Sequence, residues 1–128
     1  MSAPLPTSDY IYLASPYNAG DEAIELARYH AAEHCVAWLL ARQNWVYSPI
    51  VHCHHIATKY DLPRGFEYWE RYNFAMLQFA RALYVLDLPG WRESRGVLGE
   101  RAFALREGIL VRLISQDVNG EYKVCKVS

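Results

Sequence analysis

The apolar residues follow two patterns along the chain: short continuous runs, and longer stretches in which they recur every three or four positions. The short runs predict buried strands, and the periodic stretches predict helices. The predicted strands are Tyr10–Ala14, Trp45–Ser48, Ala82–Leu86, Ile109–Ile114 and, as an edge strand or a subunit-contact tail, Tyr122–Val127. The predicted helices run from Asp21 to near Gln43-Asn44, over Phe66–Ala80 and over Ser94–Glu107.

The periodic stretches also indicate which side of each helix faces the core. On the first helix, capped by Asp21 or Asn18, the predicted inward residues are Ile24, Ala27, Ala31, Cys35 and Trp38. On the second helix they are Trp69, Tyr72, Ala75 or Met76, and Phe79. The His-rich stretch Val51–Gly65 has little periodicity and predicts a long loop with at most a helical turn, a kind of segment that often serves function.

The alternation of strands and helices predicts an α/β fold, a single three-layer Rossmann-like (flavodoxin-like) domain with a parallel sheet of four to five strands. The chain has 128 residues, enough for one domain, which we place at residues 9–128 after a flexible Pro/Ser-rich lead at residues 1–8. Ligands bind beyond the carboxyl ends of the strands in such sheets. Three loops are therefore expected to meet at one crevice: Ser15–Gly20, Pro49–Ile56 and Asp87–Ser94.

Composition limits the classes of partner that the protein is expected to bind and the compartment in which it is expected to lie. The net charge is −1 and no basic stripe is visible, which argues against binding to nucleic acid. No apolar run is long enough to span a membrane, and no signal peptide is visible. Three irregularly spaced cysteines argue against a disulfide framework, so we predict a cytoplasmic protein.

The run Ser94–Glu100 is the first candidate for chemistry. It follows a predicted strand and a Pro-Gly turn and opens a helix, whose free N–H groups and dipole favour an anion. Gly96 and Gly99 would allow a ligand or a backbone segment to approach closely, and Glu100 shares the helix face of Gly96. The alternative is structural: Ser94 merely caps the helix, and Glu100 pairs with a surface arginine.

Three landmarks in order resemble the nucleoside 2-deoxyribosyltransferase superfamily, in particular its small bacterial and phage relatives of unknown function. The sequence is also similar to deoxynucleoside 5′-monophosphate N-glycosidases. The landmarks are Tyr12-Leu13-Ala14-Ser15-Pro16-Tyr17, Ser48-Pro49-Ile50 with His52, and Gly90-Trp91…Ser94-x-Gly96…Glu100. The resemblance covers the chain from Tyr10 to about Val111.

This resemblance implies roles for the landmark residues. Glu100 would be the nucleophile that attacks the anomeric carbon, and Tyr12 would position it; the alternative for Tyr12 is a packed strand aromatic. Ser94, where members that use free nucleosides have Asp, implies a 5′-monophosphate, with Arg92 or Arg95 nearby. The remaining implied substrate contacts are Ser15, Pro16, Tyr17, His52, Asp87, Gly90, Trp91 and Gly96.

One departure from the family pattern concerns the leaving base. The position where the family has an Asp that protonates or orients the base is Asn73, and Arg81 replaces the acidic residue that opens the third strand. Asn contacts a base by hydrogen bonds but is no general acid. Asp87, Glu70 or a loop histidine would have to supply the proton; otherwise catalysis is slow or absent.

Two further sets of residues have alternatives. The cluster His52, Cys53, His54 and His55 would need additional ligands to hold a metal, so we expect none; instead His52 or His55 contacts the base or sugar. Trp69, Trp91 and Tyr17 are candidates for stacking on a nucleobase, with Trp91 the best placed.

The sequence thus predicts hydrolysis of the N-glycosidic bond of a nucleoside 5′-monophosphate, with Glu100, Tyr12 and Asn73 at the reacting centre, no cofactor, and a homodimer or higher homo-oligomer. The alternatives are a nucleotide-binding or sensing module without catalysis, a deoxyribosyltransferase acting on free nucleosides, and a protein with only an interaction role.

Overall fold

A computed structural model describes residues 10–127, so the predicted lead at residues 1–8 lies outside the described residues. The described part is a mixed α/β structure. Its strands are β1 (Ile11–Ala14), β2 (Val46–Tyr47), β3 (Ala82–Leu86), β4 (Leu110–Gln116) and β5 (Tyr122–Cys125). Its helices are α1 (Glu22–Ala41), α2 (Pro49–Lys59), α3 (Phe66–Leu77) and α4 (Arg95–Arg106), with a 3₁₀ turn at Trp91–Glu93.

The strands form one sheet in the order β2-β1-β3-β4-β5. The pairs β1–β2, β1–β3 and β3–β4 are parallel, and β4–β5 is antiparallel. The predicted parallel sheet is therefore confirmed for four strands, and the fifth is the predicted edge strand but runs antiparallel. The short turn between β4 and β5 explains the difference, because a parallel neighbour needs a crossover connection of a dozen residues or more.

Side chains alternate between two apolar clusters along the strands. Tyr12 and Leu83 contribute to one cluster, and Leu13 and Leu86 contribute to the other. The first cluster also contains Leu77 of α3 and Val97 and Ala104 of α4; the second contains Ala32, Cys35 and Leu39 of α1. Successive strand residues point to opposite faces, so apolar side chains cover both sides of the sheet.

The predicted inward faces of α1 and α3 were only partly right: Cys35 is buried, and Trp38 and Met76 pack against the apolar clusters. On α1 the buried residues are Glu25, Tyr29, Ala32, Cys35 and Leu39, whereas Ile24 is exposed. Glu25 turns inward because its carboxylate accepts hydrogen bonds from the backbone N–H groups of Ala19 and Gly20, at 2.9 and 3.2 Å. On α3 the buried residues are Asn73 and Leu77, whereas Phe79 is exposed. The buried face of each helix contains a polar residue. It therefore does not coincide with the face that carries the repeated apolar residues.

The predicted loop Val51–Gly65 was wrong over residues 51–59, which belong to helix α2, and right over residues 60–65. Ser48 is the N-cap, and its Oγ accepts a hydrogen bond from the Val51 N–H at 3.1 Å. Pro49 occupies the first turn, where a missing N–H costs no helical hydrogen bond. The Ser-Pro pair starts a helix here, whereas the pattern alone had indicated only the end of a strand.

Candidate functional site

A cavity of about 370 Å³ lies beside the carboxyl end of β1 and the N-terminal half of α4. This volume is in the range of small-molecule sites. Its walls come from the loop after β1, from α2, from the segment before α3, and from α3 and α4. The lining residues that matter below are Ser15, Tyr17, Cys53, His54, Arg64, Phe66, Glu67, Trp69, Asn73, Glu93, Ser94, Arg95, Gly96 and Glu100.

Glu100 is the central polar group of this cavity. Its side chain is almost fully buried at 4 % exposure, and its carboxylate accepts a hydrogen bond from the Tyr12 hydroxyl. Burial raises the pKa of Glu100 to about 7, against the opposing effect of the Tyr12 hydrogen bond. Burial and the neighbouring carboxylate raise the pKa of Tyr12 well above its usual value, so Tyr12 remains a donor. The structure thus joins the first strand and the last helix at the pair named by the sequence.

Two buried polar atoms of the cavity wall have no hydrogen-bond partner within residues 10–127. They are Ser15 Oγ and Asn73 Oδ1, from the residue after β1 and from the middle of α3. Buried polar atoms in proteins are almost always paired, so each unpaired one needs an explanation. A ligand that fills the cavity and bonds to these atoms provides one.

Helix α2 presents a regular face to the cavity. Ile50, Cys53, His54 and Ala57 line it, at the spacing i, i+3, i+4 and i+7. His52 is exposed, lies against the Tyr47 ring and is not part of the lining, and His55 is outside the lining too. The histidine that lines the cavity is therefore His54 rather than His52 or His55, because the helix turns the neighbouring residues away.

The predicted contacts Asp87, Gly90 and Trp91 lie outside this cavity. Asp87 accepts hydrogen bonds from Trp91 Nε1 at 3.1 Å and from Ser115 Oγ at 3.0 Å. Trp91 is only 2 % exposed within the core, which leaves its ring no free face for a base. Gly90 has a φ of +91° and turns the chain beside Arg28. These three residues build the turn before α4, and their role as substrate contacts stays a prediction.

Of the other predicted contacts, Ser15, Tyr17, Ser94 and Gly96 line the cavity, whereas Pro16 does not. Pro16 is fully buried in the turn after β1. Ser94 is the N-cap of α4, and its Oγ accepts a hydrogen bond from the Val97 N–H at 3.3 Å. Its hydroxyl hydrogen remains available to a ligand, since a hydroxyl both accepts and donates. Trp69 and Tyr17, two of the three stacking candidates, are on the lining.

Charges of both signs surround the cavity. Arg95 forms an ion pair with Glu67, and Arg64 Nη1 lies 3.7 Å from Glu25 Oε1. Arg92 stacks on the Trp91 ring, with its guanidinium carbon 4.4 Å from the ring centroid, and is not on the lining. Arg64 and Arg95 are therefore the arginines that could meet an anion in this cavity.

The glycines of α4 accommodate an aromatic ring. A Cβ on Gly99 would lie 2.7 Å from Cζ of Phe66, and one on Gly96 would lie 3.4 Å from its Cδ1. The close approach predicted at these glycines is therefore that of the Phe66 ring, which packs α3 against α4. Phe66 also lines the cavity, so this packing shapes the wall.

We expect Gly99→Ala to lower the free energy of unfolding by about 1 kcal/mol, because the cost of overpacking exceeds the gain in helix propensity. In a Phe66→Ala background the same change should instead raise it by about 1 kcal/mol, since the obstructing ring is gone. Urea unfolding of the original protein, the two single variants and the double variant measures the energetic coupling between Gly99 and Phe66. Equal effects of Gly99→Ala in both backgrounds would contradict the contact.

Sequence reasoning missed several lining residues. Cys53 and Arg64 lie in the stretch predicted as a loop, and Phe66 is the first residue of α3. The helical spacing of Ile50, Cys53 and Ala57, started by Ser48-Pro49, could have identified the α2 face. Nothing in the local sequence marks Arg64 or Phe66 as cavity residues, since both reach it through tertiary packing.

Within residues 10–127, no group of three or more His, Cys, Asp or Glu side chains is arranged to hold a metal ion. In the same range, no helix combines the length and apolar character required to cross a bilayer. The prediction that the chemistry uses no cofactor stays a prediction.

Comparison with known proteins shows the family to which the chain belongs. No curated protein matches the chain. A family model described as a domain of unknown function, DUF1937, matches residues 9–116. That range contains every element from β1 through β4, together with Tyr12, Asn73, Ser94 and Glu100. The match spans most of the sequence, and the chain belongs to the DUF1937 family.

Proposed function

We propose that this chain hydrolyses the N-glycosidic bond of a nucleoside 5′-monophosphate, with Glu100 as the nucleophile. The observation that carries the proposal is the placement of the Glu100 carboxyl group. It is buried in a cavity wall, bonded by the Tyr12 hydroxyl, and shares that cavity with the unpartnered Ser15 Oγ and Asn73 Oδ1. A carboxylate beside unsatisfied polar atoms suits a ligand that has hydroxyl groups and an electrophilic carbon.

The arrangement of the strands supports the same proposal. We infer a three-layer Rossmann-like, flavodoxin-like domain from the strand order β2-β1-β3-β4 and from the apolar clusters on both sides of the sheet. In that class, ligands bind beyond the carboxyl ends of the strands. Ser15 and Tyr17, which follow β1, are in that position. The resemblance to nucleoside 2-deoxyribosyltransferases implies the same site.

The proposed reaction has two steps. In the first, the ionised Glu100 attacks the anomeric carbon through an oxocarbenium-like transition state, and the base departs. In the second, water attacks the glycosyl-enzyme and releases the sugar phosphate. The Tyr12 hydrogen bond favours the ionised form of Glu100 and holds the carboxylate, while Asn73 contacts the base. This chemistry uses no cofactor.

The phosphate is proposed to bind at the N-terminus of α4. The Ser94 hydroxyl donates to it, and the free N–H groups of the first turn and the helix dipole favour an anion. Arg64 and Arg95 line the same cavity and would exchange their carboxylate partners for the phosphate. We further propose a homodimer or a higher homo-oligomer.

The direct test is chromatography of free base after purified protein is incubated with a panel of ribo- and deoxyribonucleoside 5′-monophosphates. We expect release of at least one base together with a sugar phosphate. Release of base from nucleosides but from no nucleotide would contradict the substrate class. Exchange of base between two nucleosides would instead identify a deoxyribosyltransferase.

The substitution Ser94→Asp tests whether the substrate phosphate binds beside Ser94. Aspartate also caps helices, so the fold should persist, but its carboxylate repels a phosphate. We expect KM for the nucleotide to rise at least about tenfold, with KM for the corresponding nucleoside unchanged or lower. Ser94→Thr, which keeps the hydroxyl, is the matched control and should remain close to the original protein. An equal response of both substrates to Ser94→Asp would place the phosphate elsewhere.

A second candidate function is a nucleotide-binding or sensing module without catalysis. The observation that favours it is Asn73, which has an amide side chain at the position where the nucleoside 2-deoxyribosyltransferase superfamily has an Asp. Isothermal titration calorimetry with the same nucleotides distinguishes the two. Tight binding without base release, unaffected by Glu100→Gln, would favour the module.

A further inference from the structure

The proposed reaction needs a proton donor for the departing base, and Asn73 does not ionise. Of the carboxylates that the sequence offers instead, Asp87 is outside the cavity lining and bonded to Trp91 and Ser115. Glu70 is also outside the lining. The acid must therefore be another residue that lines the cavity together with Glu100.

His54 is the histidine of the cavity lining, and two contacts fix its ring. Its Nδ1 lies 2.7 Å from the Tyr17 hydroxyl oxygen. Its ring stacks on Tyr29 of α1, with the centroids 4.2 Å apart and an angle of 23° between the planes. Its Nε2 forms no hydrogen bond within residues 10–127. The ring is thus held by one nitrogen and one face, and the other nitrogen is available to a ligand.

We propose that His54 donates a proton to the departing base, an inference that rests on the proposed N-glycosidase function. In the first step the Glu100 carboxylate forms a bond to the anomeric carbon as the carbon–nitrogen bond breaks. The electron pair of that bond passes to the base nitrogen, and the proton on His54 Nε2 moves to the base. In the second step water bonds to the anomeric carbon, its proton returns to His54, and Glu100 leaves as a carboxylate.

The surroundings of His54 adjust its acidity. The titratable and charged groups that face it from the packed elements are Tyr17, Glu25, Tyr29, His30, His55 and Arg64. Burial, together with His55, Arg64 and His30, lowers the pKa of His54. The imidazolium is therefore a stronger acid, which suits a weakly basic leaving group. It also means that proton donation fades as the pH rises.

The test compares two leaving groups on the same sugar phosphate. One substrate is the nucleotide, and the other is a 4-nitrophenyl glycoside, whose nitrophenolate departs without being protonated. We expect His54→Gln to slow base release from the nucleotide by on the order of 100-fold. The first-turnover burst of nitrophenolate should stay near that of the original protein. His52→Gln, on the exposed side of the same helix, is the matched control and should change neither rate.

A pH series adds a second readout. In the original protein, base release should fall on the alkaline side as His54 loses its proton, and His54→Gln should lack that fall. Equal slowing of both substrates by His54→Gln, or of neither, overturns the role of His54 while the N-glycosidase function stands. If the original protein releases neither base nor nitrophenolate, the proposed function fails, and the role of His54 fails with it.

Discussion

Replacing Glu100 with alanine is expected to reduce base release from a nucleoside 5′-monophosphate by at least about 1,000-fold. The reason is chemical: removing a covalent nucleophile leaves only the binding and orientation of the substrate. The structure provides no second carboxylate that is buried in the same cavity, since Glu67 and Glu93 line it as exposed side chains within the described residues. The measurement is the single-turnover rate of base release followed by chromatography.

A small external nucleophile separates covalent catalysis from simple damage to the site. Azide should fit the space that the Glu100→Ala change leaves beside the anomeric carbon of the proposed substrate, and it should restore base release with formation of a glycosyl azide. Glu107→Ala, at the exposed end of the same helix, is the control and should behave like the original protein with or without azide. Base release that survives Glu100→Ala without azide would contradict the assignment of the nucleophile.

The sequence pattern predicted the four parallel strands, and the resemblance predicted that Tyr12 lies against Glu100. The parallel strands are short apolar runs ended by turn residues, a pattern that depends mainly on local chemistry. The Ser94 cap followed by a helix is local in the same sense. Contact between Tyr12 and Glu100 then follows from the resemblance and from the sheet order, in which β1 lies next to β3, the strand that leads to α4.

The inward faces of the helices were less predictable, because the support of a loop and the wall of the cavity place polar residues inside. Glu25 is buried to bond the N–H groups of the loop after β1, and Asn73 is buried at the cavity. Because both residues are polar, the repeat of apolar residues does not reveal the buried helix face to which each belongs. A polar residue inside a helix stripe is costly unless it is satisfied or used by a ligand, so its burial depends on tertiary context. The sequence carries no local mark of that context.

The α2 error had the largest consequence for the site. The expected histidine contacts were His52, which belongs to a landmark of the resemblance, and His55, whereas helix α2 places His54 on the cavity lining. The information was present in Ser48-Pro49, which starts a helix as readily as it ends a strand. By contrast, the burial of Trp91 could not be predicted from its position after a Pro-Gly turn, because its ring is held by Asp87 and by packing against distant residues.

Glu100 also gives the second large expected effect, which concerns stability and needs no substrate. The pKa of Glu100 is about 7 in the folded protein and near 4.5 in the unfolded chain. Between these values the folded state retains a proton that the unfolded state has lost, so stability falls as the pH rises from 4.5 to 7. The whole change is about 3 kcal/mol, since one pKa unit corresponds to about 1.4 kcal/mol. Below pH 4.5 and above pH 7 this group should contribute no further pH dependence.

Glu100→Gln removes this titration and keeps the size of the side chain. Urea unfolding of both proteins at pH 5.5 and pH 8 should show the variant gaining about 2 kcal/mol relative to the original protein over that interval. Every other titrating group cancels in this difference, as does the constant cost of burying the amide. Glu107→Gln, an exposed change on the same helix, should show no pH-dependent difference. A Glu100→Gln difference that does not change with pH would mean that the carboxyl group titrates normally, and it would remove the physical basis for a buried, activated Glu100.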